Sequence, residues 1–143
     1  MNLCVKRAAA GLLCLTAMIV GVWAAAAPYS FFSSFPLPGH PWVVALPAYN
    51  EHLTRDVGDL YLALMTISIW AVLRPREETF RLVGAAWLVF SVLHIAFHLD
   101  HLRLYSAVDA VDAVGNVVAL GTSVLLGGLL LLPGATGNET GRW

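Results

Sequence analysis

Four long apolar stretches, separated by short polar or proline-rich segments, set the pattern of this chain. They cover residues 8–27, 51–73, 79–101 and 107–132, and each meets the roughly 20 residues that a helix needs to cross a bilayer. The first follows Lys6 and Arg7. The small residues Ala24–Ala27 would suit cleavage of a signal peptide, but the apolar run exceeds the usual core of such a signal, about 7–15 residues. A retained helix is predicted. Residues 28–50 hold five of the seven prolines and the aromatics Tyr29, Phe31, Phe32, Phe35, Trp42 and Tyr49. Proline removes a donor and clashes inside a helix, while aromatic rings suit the membrane–water interface. This segment is therefore predicted as an ordered outer loop lying over the bundle.

Helix ends carry local signals. Asn50 is placed to cap the second helix, and Glu51 in its first turn complements the helix dipole. Arg74-Pro75 ends that helix, and RPREETF turns the chain into the third. Arg103-Leu104-Tyr105 forms the other tight turn. Ser106 is predicted to cap the fourth helix, with Asp109 as the acid of a capping box. Ala119, Ser123 and Gly127 recur every four residues, a spacing of small side chains that lets helices approach closely in lipid. Together these features predict an all-α, antiparallel four-helix transmembrane bundle, a single domain over 1–143.

Composition agrees. Hydrophobic residues make up 59% of the chain and charged residues 12%, with mean hydropathy +0.75; soluble domains carry about a quarter charged residues. The formal net charge of −1 and the lack of a basic run exclude a nucleic-acid partner. Cys4 and Cys14 fit neither a redox nor a zinc spacing and read as small hydrophobes. Alternating spans put Lys6, Arg7, Arg74, Arg76, Arg81 and Arg142 on one side, and Arg55 and Arg103 on the other. The positive-inside rule then predicts a multi-pass membrane protein with both termini cytoplasmic.

On this topology all five histidines and six of the nine acids fall on the outer half. Their spacing carries more than their number. His52, Asp56 and Asp59 on the second helix, His94, His98 and His101 on the third, and Asp109, Asp112 and Asn116 on the fourth each span an arc of about 60°. His94 lies roughly 9 Å below the predicted outer end of its helix, too deep for a short side chain to reach water. Three polar stripes in apolar helices are cheapest when they face one another. The predicted ligands of a divalent transition metal (Zn, Fe, Mn or Cu(II)) are His94, His98, Asp56, Asp59, His52 and Asp112. His101 and Asp109 are further candidates, and Arg55 and Asn116 are supporting residues.

Other readings stand beside the metal. The stripes could form a structural network with Arg55 and Arg103 as countercharges, a proton relay or a ligand pocket. Asp100 points away from the histidine face. His40 reads as an interface residue of the loop. No HExxH, phosphate-binding glycine loop or catalytic Ser-His-Asp set is present. As an enzyme, the chain would perform metal-assisted hydrolysis or redox chemistry on a lipid-accessible substrate. As a non-catalytic accessory subunit, it would use the stripes to join itself or a partner in a membrane complex.

The run from Pro47 through Asn50-Glu51-His52 and Arg55-Asp56-Val57-Gly58, followed by the His94/His98/His101 helix, resembles a group of small bacterial four-helix membrane proteins. The plan resembles the DoxX-like proteins more loosely. The resemblance implies that the Asn-Glu-His and Arg-Asp-x-Gly positions share one surface, and it implies no activity.

Overall fold

A computed structural model of the 143-residue chain describes residues 1–46, 48–101, 103 and 109–134. Its elements are α1 (Leu3–Ala26), α2 (Pro28–Ser34), β1 (Pro36–Leu37), β2 (His40–Pro41), a 3-10 turn (Val43–Ala45), α3 (Glu51–Leu73), α4 (Glu77–Asp100) and α5 (Ala110–Leu131). The fold is all-α apart from the two-residue β1–β2 hairpin. Helices α1, α3, α4 and α5 are each long and apolar enough to cross a membrane. Large side chains such as Leu60, Leu82, Val89, Leu93, Val118 and Leu125 lie exposed along them, as expected of helices solvated by lipid.

The caps explain the boundaries. Asn50 accepts from Leu53 N–H at 3.2 Å, so α3 begins at Glu51. Helix α1 begins earlier than its apolar run, at Leu3, because Asn2 caps it by accepting from Cys4 N–H. Asp109 caps α5, accepting from Val111 N–H at 2.8 Å. It is thus the cap itself rather than an acid three residues after the cap, and Ser106 lies outside the described residues.

Two helix pairs build the bundle: α1 packs along α3 and α4 along α5, with sparser contact between α3 and α4. Glycine permits each pairing. A Cβ on Gly58 would sit 2.5 Å from Ala25 N, and one on Gly84 would sit 2.7 Å from Gly127 O. Of the small residues expected to bring α5 close to a neighbour, Gly127 does so; Ala119 and Ser123 line a cavity instead. The core runs through the middle of the bundle, with Leu13 and Ala17 of α1, Leu64 and Ala71 of α3, Phe80 and Trp87 of α4, and Leu130 of α5 all buried. Trp87 Nε1 donates to Ser68 Oγ at 2.9 Å, and that hydroxyl donates to Leu64 O at 2.7 Å. Cys4 is exposed and Cys14 half-buried, so neither is a core hydrophobe.

At the end opposite the hairpin, Lys6 is fully buried. Its ammonium donates to Glu77 in the first turn of α4 and to the carbonyls of Leu130 and Leu132 at the end of α5. The positive charge meets the negative end of one helix dipole and a carboxylate together, and ties α1, α4 and α5 at one point.

Candidate functional site at the loop end of the bundle

The connector 28–50 is an ordered roof. Pro28 sits in the first turn of α2, where its missing N–H costs nothing. Behind it, Trp23, Phe31, Phe35 and Trp42 pack edge to face, with centroids 5.9–6.0 Å apart for the Trp23–Phe35 and Phe35–Trp42 pairs. Gly39, at φ +90°, closes the Pro38-Gly39 turn, a backbone state that suits glycine. The turn returns the chain so that His40 and Trp42 reach the start of α5. Here Trp42 Nε1 donates to Asp112 Oδ1 at 3.2 Å, and His40 Nδ1 lies 3.1 Å from the same oxygen. At the rim, Tyr49 packs against Tyr29 at 5.4 Å; desolvation, reinforced by the Glu51 carboxylate, holds its phenol above the usual tyrosine range.

Beneath the roof, between the two helix pairs, lies a cavity of about 300 Å³. Phe31, Phe35, Trp42, Val57 and Tyr61 belong to its apolar wall, and His94, His98, Asn116 and Ser123 supply polar groups from α4 and α5. No Asp, Glu, Lys or Arg lines it among the described residues. Along α4, His94 stacks on Phe90 at 5.1 Å between centroids, and His98 follows at 4.7 Å with its ring tilted by 57°. Asn116 is 3% exposed, and among the described residues its Oδ1 has no hydrogen-bond partner. Ser91 Oγ is likewise buried without a partner among the described residues, but does not line the cavity.

The residues expected to form one metal site part company. His94 and His98 face inward, and Asp112 is buried. The trio on α3 stands on the outside: His52 and Asp56 pair with each other at 3.2 Å, with side chains 82% and 52% exposed, and Asp59 is exposed. The rotation of α3 accounts for this. Leu53, Val57 and Tyr61 form its cavity-facing stripe, and Gly58 fixes the contact with α1. With 23 residues, α3 is also longer than a bilayer core of ~30 Å requires. Its first turns can therefore carry acids in the headgroup region without turning them inward.

Arg55 does not back a metal ligand. It pairs with Glu51 at 3.0 Å and donates to Ala25 O, closing the end of α1. His101 caps α4, its Nδ1 2.8 Å from Phe97 O and its ring stacked on Phe97. Arg103 is exposed.

One group among the described residues has metal-ligand spacing: His40, Asp109 and Asp112, each with a ligand atom within 4.8 Å of the others. Both acids were candidates from sequence. His40 was not, since its partner is 72 residues away, and only the Pro-Gly turn beside it hinted that it was held in place.

These features define a multi-pass helical membrane protein with a His/Asp group and a roofed, uncharged cavity at one end. Comparison with protein-family models, curated proteins and solved structures gives no match for the chain.

Proposed function

We propose that this is a bacterial inner-membrane protein that binds a lipophilic small molecule in the cavity between its helix pairs. The observation that carries the reading is the cavity itself: enclosed on several sides by aromatic and aliphatic side chains, with His94, His98 and Asn116 at one wall. Its volume of about 300 Å³ lies at the small end of ligand pockets, which run from about 300 to 1,000 Å³. Apolar walls with a few convergent polar groups suit binding and orientation of an amphipathic molecule. The arginines near the Lys6 end support an arrangement with both termini cytoplasmic and the roof outside.

The test is native mass spectrometry of the protein extracted in mild detergent. A bound lipophile should be present on the wild type and absent from Ala119→Trp, which fills the cavity from α5. An adduct indifferent to that substitution would lie elsewhere and sink the reading.

A second reading has its own observation. The converged ligand atoms of His40, Asp109 and Asp112 support binding of Zn, Mn or Fe between the hairpin and the start of α5. Calorimetric titration with Zn²⁺ or Mn²⁺ should then show one site that both His40→Ala and Asp112→Asn remove. Heats unchanged by either variant would dismiss it.

A further inference from the structure

Resting on the cavity reading, we infer that the ligand is an uncharged lipid headed by a hydroxyl, and that Asn116 is the residue that recognises this head. Two observations converge on it. The first is the charge inventory of the walls, which offer imidazole, amide and hydroxyl groups and no full charge among the described residues. Burying a carboxylate, phosphate or ammonium there would forfeit hydration with no fixed countercharge in exchange, a loss that apolar contact does not offset. The described walls thus disfavour free acids, phospholipid headgroups and amines.

The second is Asn116. It lies on the cavity wall, is 97% buried by its 3% exposure, and holds a carbonyl oxygen without a donor among the described residues. A buried acceptor left unpaired is costly, and native structures seldom retain one without a reason. Oδ1 is itself closed off from the cavity space, so the amide must turn about its last side-chain bond to meet a ligand. A hydroxyl then answers the whole of it. It donates its proton to Oδ1, and its own oxygen can accept from the amide N–H₂ or from an imidazole N–H of His94. An ether or ester oxygen accepts only, and leaves Oδ1 as it was. The aromatic and aliphatic wall then receives the hydrocarbon part, and the sparse contact between α3 and α4 leaves a side from which a chain could enter.

The experiment uses the full-length protein in nanodiscs and a long-chain alcohol carrying a photoreactive diazirine on its chain. Unlabelled decanol, methyl decyl ether, decylamine and decanoate compete with it, and labelled peptides are mapped. The expected result is saturable labelling of cavity-lining segments of α4 and α5, with decanol competing about tenfold or more better than the other three, the discrimination that an unpaired buried acceptor imposes. Asn116→Leu should keep the labelling and bring alcohol and ether level. Should that variant fail to fold, the wild-type alcohol-to-ether ratio decides alone. Decanol and its ether competing equally on the wild type would overturn the role of Asn116, as when a water serves its carbonyl. Decanoate competing best would overturn the neutral class. Either result leaves the cavity reading standing, whereas no saturable labelling in the cavity by any probe would remove that reading itself.

Discussion

Lys6 shows how much one side chain can hold. Fully buried, it bridges a carboxylate on α4 and two terminal carbonyls of α5. The pair is asymmetric, since Glu77 keeps 34% of its side chain exposed and lies 3.9 Å from Arg81. Removing the lysine therefore leaves an acid that water and a second cation can serve. Removing the acid strands an ammonium in the interior. Lys6→Met is expected to cost about 1–3 kcal/mol for the carbonyls it leaves unserved, and Glu77→Gln to lower the melting temperature in detergent further still. The reverse order in thermal unfolding would show that the lysine escapes to solvent in the variant. From sequence Lys6 read only as a topology signal, because nothing local announces a partner 71 residues away.

At the scale of elements, helix ends were legible and helix rotation was not. Asn50 and Arg74-Pro75 act on the backbone beside them, so α3 begins and ends where those residues place it, whereas Glu77 and Glu78, expected in the turn, form the first turn of α4. Which face of α3 turns inward depends on partners that a periodicity does not name. Near its start two stripes compete, His52/Asp56/Asp59 and Leu53/Val57/Tyr61, about 130° apart, and the apolar one faces the cavity. The polar residues of α4 and α5 lie deeper, and there the rule that sunken polar groups face inward placed His94, His98 and Asn116 on the cavity wall. Gly58 is what locks the rotation of α3. Gly58→Ala would drive a Cβ to 2.5 Å from Ala25 N, a backbone clash expected to cost about 1–3 kcal/mol. Gly121→Ala, which meets nothing within 4 Å, should be neutral or slightly stabilising by helix propensity. Equal unfolding temperatures for the two variants would mean that α1 and α3 are not held at that point.

For the whole molecule, the arrangement of charge makes a topological prediction. With Cys4 and Cys14 replaced by serine, a single cysteine at Leu37 in the hairpin should react with a membrane-impermeant maleimide on intact spheroplasts. One at Pro75, in the α3–α4 turn, should react only after lysis. The opposite pattern would invert the protein in the membrane. The bundle and its span count followed from composition and segment length, quantities that add along the chain. The cavity did not, because it is the space left between two helix pairs, and no single segment describes it.

Trp42 stands at once in the cavity wall and on the Asp112 carboxylate, so the indole is a built-in gauge of what happens beneath the roof. In a variant keeping it as the sole tryptophan, its emission should shift when the space below fills, and shift again, to the red, when Asp112→Asn loosens the hairpin. Occupancy and closure could then be followed in one cuvette, without any attached dye.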